Sequence, residues 1–307
     1  MNPQKSDRLA TGVILFFAAI VSLIVLTLVV YLLAIGLPHV SWHFLTSPAS
    51  SFTAGGGIRD QLFNSFYLVV LTLIVSVPLS LGAAIYLSEY APQNRLTNTL
   101  RLAIEVLSSL PSVVVGLFGY LVFVLQWKMD FSLLAGALAL TIINLPLLTR
   151  SCETALSQVP FLQRQAGLGL GMAKWRVTTR IVVPAALPGI MTGAILSAGR
   201  IFGEAAALIY TAGQSSINVS YSNWNPFSQT SFLNPMRPAE TLAVHIWKLN
   251  TEGLVPDATA VSAGAAAVLI LAILAFNLLA RFAGSLVAKH FRQVAWLLST
   301  SVNKEEQ

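Results

Sequence analysis

The sequence predicts an all-α, polytopic membrane protein with six transmembrane helices. Hydrophobic residues make up 55% of the chain and charged residues only 10%, whereas roughly 25% of the residues in a soluble domain are charged. Five stretches lack any charged residue and are long enough to cross about 30 Å of hydrocarbon. They are residues 9–37, 61–88, 106–127, 131–149 and 258–280. A sixth span, 181–211, requires Arg200 and Glu204 to lie within the membrane.

The distribution of positive charge orients these spans. If the N-terminus is cytoplasmic, thirteen of the 18 Lys and Arg residues lie in cytoplasmic segments, four lie outside and Arg200 lies in a span. This excess satisfies the positive-inside rule, so both termini are expected in the cytoplasm. The isoelectric point near 9.7 therefore reflects membrane topology and does not indicate nucleic-acid binding.

The spans divide the chain into a cytoplasmic N-terminus (1–8), a transmembrane domain (9–285) and a cytoplasmic tail (286–307). Lys5 and Arg8 precede an apolar run, as in a signal peptide. That run, 9–37, is much longer than the apolar core of a signal peptide, about 7–15 residues, so we expect a retained first span. In the tail, a helical spacing of apolar residues predicts a helix at the membrane surface. These residues are Val287, Phe291, Val294 and Leu298.

Prolines in the second, third and fourth spans predict irregular helices. They are Pro78, Pro111 and Pro146. A helix break at membrane depth lines a cavity or is buried in protein, and a kink that improves packing is an equally good interpretation. A tight turn at 128–130 joins the third and fourth spans, which we therefore expect to form an antiparallel pair.

The outer segment, 212–257, is long for a loop and contains a polar, aromatic run at 221–227. Leu242, Ile246 and Leu249 share one helical face and predict a short helix over 241–249. The segment either meets a partner or folds back over the helix bundle.

The cytoplasmic loop 150–184 joins the fourth and fifth spans. Gly167, Gly169 and Gly171 permit tight turns and close approach by another protein, and basic residues between 174 and 180 keep the loop out of the membrane. Glycine-rich loops also bind nucleotides, but the sequence contains no Gly-x4-Gly-Lys-Ser/Thr motif. Any ATP must therefore be used by a partner protein.

Arg200 and Glu204 are four residues apart, which predicts that they share one face of the fifth span. An arginine at the centre of a membrane helix costs about 2.5–3.5 kcal/mol, so it should face a cavity or a partner. The pair either joins two helices as an ion pair or presents a guanidinium group to an oxyanion. From these two residues alone, both interpretations remain open.

The other polar residues predict no catalytic or metal site. Cys152 is the one cysteine, which excludes an internal disulfide. His39 and His43 share helical spacing but border a membrane span beside Trp42, which favours a polar fringe over a metal site. No Ser/His/Asp or paired-carboxylate arrangement stands out, so we expect a subunit that is not an enzyme and binds no cofactor itself. Gly189 and Gly193 are spaced for close helix packing.

The cytoplasmic loop resembles the EAA loop of bacterial ABC importer permeases. The family pattern is Glu-Ala-Ala, three residues, Gly, nine residues, Ile, any residue, Leu-Pro. The matching positions in this chain are Gln165, Ala166, Gly167, Gly171, Ile181 and Pro184. In that family the loop docks into an ATPase subunit, so the resemblance implies coupling to a partner that uses ATP and Mg. Gln165 replaces the family's Glu, Gly167 its second Ala and Val183 its Leu.

Further segments are similar to phosphate ABC transporter permeases of the PstA type, over roughly residues 40–285. The segment 199–208 resembles Gly-Arg-Ala-x-Gly-Glu-Thr-Ala-Pro-Leu, with Ala205 and Ala207 in place of the Thr and the Pro. Segments 45–48, 82–91, 110–119 and 184–190 also match. The resemblance implies the type I ABC importer permease fold, a bacterial inner-membrane location and a substrate pathway at Arg200 and Glu204.

What the resemblance implies is import of inorganic phosphate by alternating access. The implied partners are a second homologous permease (PstC-type), two ATPase subunits (PstB-type) and a phosphate-binding protein (PstS-type), with membrane lipid around the complex. Sulfate, molybdate or phosphonate are alternative cargoes. A secondary transporter or channel for an anion and a membrane scaffold are alternative classes.

Overall fold

The structure is a computed structural model that describes residues 3–50, 53–215, 217, 219–253 and 255–305. Over these residues the regular secondary structure is helical, apart from an isolated bridge between Ser220 and Ser231. The all-α prediction is confirmed. In chain order the α-helices are α1 (Pro3–Gly36), α2 (Trp42–Thr46), α3 (Arg59–Ile85), α4 (Arg95–Ser108), α5 (Ser112–Gly119), α6 (Leu133–Ser157), α7 (Phe161–Gly169), α8 (Lys174–Val177), α9 (Val183–Phe202), α10 (Ala206–Thr211), α11 (Leu242–Glu252) and α12 (Ala258–Glu305). π-Helical turns extend α3 and α5 and join α8 to α9.

In the described part of the chain, five helical stretches are long and apolar enough to cross a membrane. They are Ala10–His39, Arg59–Tyr90, Leu133–Ser157, Lys174–Phe202 and Ala258–Phe282. A sixth candidate is a pair of helices, Arg95–Ser108 and Ser112–Gln126, bent by 95°. The structure thus supports five or six spans.

The third predicted span, 106–127, is not one straight helix. α4 ends at Ser108, and Pro111 precedes α5 in an extended conformation with φ −60° and ψ 134°. Proline has no N–H group and disfavours a helical conformation of the residue before it, so the helix cannot continue through Leu110. The irregularity predicted at Pro111 is therefore present, as a break between two helices.

Two other predicted boundaries differ from the structure. α6 continues to Ser157 instead of ending near residue 149, so residues 150–157 of the predicted loop are helical. The last span and the tail form one helix, α12, which begins at Ala258. The side chains of the predicted tail face lie outside the described residues.

The chain forms two compact units, one comprising Met1–Arg59 and Lys248–Leu271, and the other Asp60–Trp247 and Ala272–Gln307. In the first unit α1 packs on α12 at Gly36, where an added Cβ would lie 2.6 Å from Ala267 Cβ. Most of the α1 side chains from residue 10 to 35 are exposed. Such an apolar surface is suited to lipid or to another membrane protein.

In the second unit, glycines bring α6 and α9 together. An added Cβ at Gly189 would lie 2.7 Å from Ala155 Cβ, and one at Gly193 would overlap Ser151. Small residues allow helix backbones to approach closely in a membrane. The close approach predicted at Gly189 and Gly193 is therefore present.

The outer segment folds back onto the start of α6. The first N–H groups of a helix lack partners within the helix. Here they donate to carbonyl groups at the end of α10 and in the outer segment: Ser132 to Thr211 (3.1 Å), Leu133 to Arg237 (3.0 Å) and Leu134 to Pro235 (2.8 Å). The folded-back alternative is the one that the structure shows, although Trp224 and Phe227 remain exposed.

Candidate functional site

The loop between the fourth and fifth spans forms a helix–turn–helix at one end of the second unit. We call residues 158–184 the coupling segment and this end of the unit the coupling end. α7 ends at Gly169, and Gly171 turns the chain with φ +78°, a conformation that favours glycine. α8 then leads through a π-helical turn into α9.

Gly167 lies where the two arms of the coupling segment meet. It is buried, and an added Cβ would lie 2.7 Å from Ile181 Cδ1 and 2.9 Å from Val177 Cγ2. Two positions of the predicted motif, separated by fourteen residues, are therefore in contact. A glycine at 167 lets α7 approach the start of the fifth span closely.

Arg164 fastens the coupling segment to the ends of two spans. Its Nη2 donates to Glu89 Oε1 (2.8 Å) and to the carbonyl of Leu156 (2.8 Å), and its Nη1 donates to the carbonyl of Val159. Both partners of the Arg164–Glu89 ion pair are largely buried. This anchor was missed by the sequence reasoning, since the two residues are 75 positions apart and only their common place near the ends of spans relates them.

The coupling segment exposes a cluster of large apolar side chains. The exposed fractions are 68% for Phe161, 76% for Leu162, 83% for Leu170 and 62% for Trp175. Gln165 and Ala166 are exposed on the same segment, whereas Ile181 and Pro184 are partly buried. Exposed apolar patches with polar neighbours mark protein-interaction surfaces.

Arg200 lies in the last turn of α9 and is exposed. Among the described residues, no hydrogen bond or ion pair engages its guanidinium group. Its backbone carbonyl accepts from Gly203 N–H at 3.2 Å, where the helix ends. The predicted cation is therefore available to a group outside this chain.

The prediction that Glu204 shares a helical face with Arg200 is wrong. α9 ends at Phe202, and Glu204 lies in the break before α10. Its Oε1 instead accepts from Ala207 N–H at 3.4 Å, in the first turn of α10. Because the helix ends between them, the four-residue spacing no longer aligns the two residues on one helical face.

The comparisons with known proteins assign the chain to a family. The family model described as "Binding-protein-dependent transport system inner membrane component" matches residues 76–293. The chain belongs to this family. The matched region includes the coupling segment and Arg200, and membership implies an ATPase and a substrate-binding protein as partners.

Individual relatives agree with this assignment. A Bacillus subtilis (strain 168) protein described as a probable ABC transporter permease, YqgI, is 48% identical over 289 residues, covering 94% of this chain and 98% of that protein. The phosphate transport system permease PstA of Yersinia pestis is 36% identical over 231 residues, covering 75% of this chain and 72% of PstA. The chain is therefore a multi-span permease subunit of an ABC importer.

The fold agrees as well. A bacterial ABC transporter involved in the import of the acidic polysaccharide alginate contains a chain with a TM-score of 0.61 and 14% identity. The likeness covers 93% of the present chain and 96% of that chain. The helical arrangement of the permease is thus that of ABC importer permeases.

A second arginine, Arg237, is placed by the structure in a role that the sequence did not indicate. It is only 1% exposed, and its Nη2 donates to Asn64 Oδ1 at 2.6 Å. Burial lowers the pKa of this guanidinium group. Nearby, the Glu240 carboxylate accepts from Gln61 at 3.0 Å and lies 3.1 Å from His245 Nδ1. This buried polar network fixes the outer segment against α3.

No site was predicted at the cysteine or at the two histidines near the first span. Cys152 is buried in α6. His39 and His43 are exposed, and no group of three or more His, Cys, Asp or Glu side chains among the described residues could hold a metal ion.

Proposed function

We propose that this permease imports inorganic phosphate across the bacterial cell membrane by alternating access. Arg200 supplies the positive charge that recognises the anion. The similarity to PstA of Yersinia pestis, which is 36% identical over 231 residues, supports the choice of cargo.

The unpartnered guanidinium group of Arg200 carries the proposal. A charged side chain within a span is retained at a cost of about 2.5–3.5 kcal/mol, so it needs a neutralising partner. This chain offers none among its described residues. An arginine fork binds two oxygens of a phosphate ion at once, which suits a site that receives an anion.

Glu204 has a separate role in the proposal. It is half-buried, and within the described part of the chain its carboxylate accepts one long hydrogen bond, from Ala207, which leaves lone pairs unused. A carboxylate can accept from the O–H of a protonated phosphate, which a fully ionised anion lacks. We propose that it selects the protonated forms of the ion.

The proposed assembly combines the partners that the resemblance implies with the exposed surfaces of this chain. A second, PstC-type permease covers the exposed face of α9 and closes the pathway, and two PstB-type ATPase subunits, which bind ATP and Mg, dock on the coupling segments. A PstS-type binding protein delivers phosphate to the outer end. ATP binding closes the ATPase dimer, and the coupling segment transmits that movement to α9.

Arginine replacements test the role of Arg200. In cells that carry the whole complex, we expect Arg200→Ala to lower the uptake of labelled phosphate by about tenfold or more, since a charge-assisted contact is lost. Arg200→Lys should also impair uptake, because an ammonium group cannot make the bidentate contact. Arg95→Ala, at an exposed position of α4, is the matched control. Normal uptake by Arg200→Ala would overturn the role.

A different oxyanion is the second candidate. Ala205 and Ala207 stand where the phosphate permeases carry Thr and Pro, so a hydroxyl group near the proposed pathway is absent. Competition of labelled phosphate uptake by sulfate, molybdate and phosphonate distinguishes the cargoes. For a phosphate importer we expect only unlabelled phosphate to compete at equal concentration, and stronger competition by another anion would replace phosphate as the cargo.

A further inference from the structure

A groove on the second unit lies between α6, α9 and α12, toward the coupling end. It is an open depression with a volume of about 670 Å³. Arg150 and Arg281 line it on either side of α9, which contributes Thr192, Gly193 and Leu196. We call it the inner groove.

Small residues bring both arginine-bearing turns to the same level of α9. Ser151 packs against Gly193, and Gly284 packs against Thr192, where an added Cβ would lie 2.7 Å from Thr192 Oγ1. Arg150 directly precedes Ser151, and Arg281 is three residues, about one 5.4 Å helical turn, before Gly284. The two arginines therefore flank adjacent residues of one helix.

The inner groove is positively charged without compensation. No Asp or Glu side chain is among its lining residues in the described part of the chain. Both arginines are exposed, and no described residue forms a hydrogen bond or ion pair with either guanidinium group. Glu153, on the next turns of α6, pairs instead with Arg101 at 2.8 Å. Two unneutralised cations beside apolar helix surfaces favour a bound anion.

The uncharged residues that line the inner groove favour a phosphate group as the bound anion. Gln158 and Ser151 add uncharged donors, whereas the hydroxyl groups of Thr154 and Thr192 donate to carbonyl groups of their own helices. Two guanidinium forks and neutral donors match the several oxygens of a phosphate group. The floor includes Leu147 and Leu196.

We infer that the inner groove is a second oxyanion site, which binds a phosphate group between Arg150 and Arg281. It is distinct from Arg200, which lies one helical turn beyond Leu196 on α9. A free phosphate ion leaving Arg200 would meet the site on its way to the coupling end, a role that rests on the proposed function. The headgroup of an anionic phospholipid presents the same chemistry at the cytoplasmic side of a membrane.

The test compares bound phosphate groups in two lipid environments. The purified complex is placed in two kinds of nanodisc. Discs of phosphatidylcholine alone are used to measure the binding of labelled inorganic phosphate without ATP. Discs that also contain phosphatidylglycerol are used to measure the lipid that is retained after delipidation. The double variant Arg150→Gln/Arg281→Gln is compared with Arg95→Gln/Lys128→Gln, which removes two exposed charges outside the groove and outside the coupling segment. Both should remain folded, because exposed positions tolerate substitution, and size-exclusion chromatography checks this.

We expect the groove variant to bind its phosphate group about tenfold more weakly or worse, and the control to resemble the wild type. Loss of labelled phosphate in the first disc identifies the ion, and loss of phosphatidylglycerol in the second identifies the lipid. Unchanged binding in both discs, or an equal loss in the control, overturns the site. Arg200→Ala should retain this binding while it loses uptake, so failure of the proposed function is distinguishable from failure of the inner groove.

Discussion

Gly167 sets the distance between α7 and the start of α9. Its missing side chain leaves room for Ile181 and Val177, which an alanine would crowd. An alanine would also favour the helix, by about 1 kcal/mol relative to glycine. The two effects oppose each other at this residue.

Their balance can be measured with a double-mutant cycle. Ile181→Val removes the Cδ1 atom that an alanine at 167 would approach most closely. We expect Gly167→Ala to be more favourable in the Ile181→Val background than in the native one, by about 0.5–1 kcal/mol, since residues in contact are not additive. Thermal unfolding of the four purified permeases gives the coupling free energy. Equal effects in both backgrounds would show that the residues do not contact.

At the scale of elements, uncharged runs predicted the spans, but not where each helix bends or ends. Arg150 and Glu153 suggested an exposed loop. α6 nevertheless continues past them because Cys152 and Leu156 on this stretch are buried in the core. A proline marks the break after α4, although its 95° bend depends on packing. For the candidate site, the coupling residues and Arg200 were predicted from patterns, and their roles stay predictions. Two features depend on tertiary contacts: the helix break that displaces Glu204, and the pairing of Arg164 with Glu89.

The exposed side chains of α7, α8 and the turn between them predict that substitutions there weaken binding of the ATPase subunit without lowering the stability of the permease. Leu170→Ser and Trp175→Ala remove side chains that contact little within the permease, so we expect changes in its unfolding free energy within about 0.5 kcal/mol. Removing an aromatic anchor from an interface costs about 2 kcal/mol or more. The ATPase subunit should therefore copurify poorly with both variants. Phe227→Ala, in the outer segment, is the control. Undiminished copurification would place the ATPase elsewhere.

At the scale of the whole molecule, the charge distribution predicts which end of the bundle faces the cytoplasm. Cys152 is the one cysteine and is buried, so Cys152→Ala gives a background for labelling single exposed positions. Leu170 and Phe227 are both exposed, the first in the coupling segment and the second in the outer segment.

We expect a membrane-impermeant maleimide to label Phe227→Cys in spheroplasts and Leu170→Cys only after permeabilisation. The reason is the excess of Lys and Arg in the segments that share the side of Leu170. Both variants should react equally in detergent, which controls for accessibility. The opposite pattern would invert the topology.

α6 is held at both of its ends. Its first N–H groups bond to the carbonyls of Thr211, Pro235 and Arg237, and Arg164 binds the carbonyl of Leu156 near its last turn. With 25 residues it is about 38 Å long. The helix continues through Pro146, which removes one of its internal hydrogen bonds, and it connects the coupling segment directly to the outer segment. A push of a few ångströms on the coupling segment is therefore expected to reach the outer segment within a single helix.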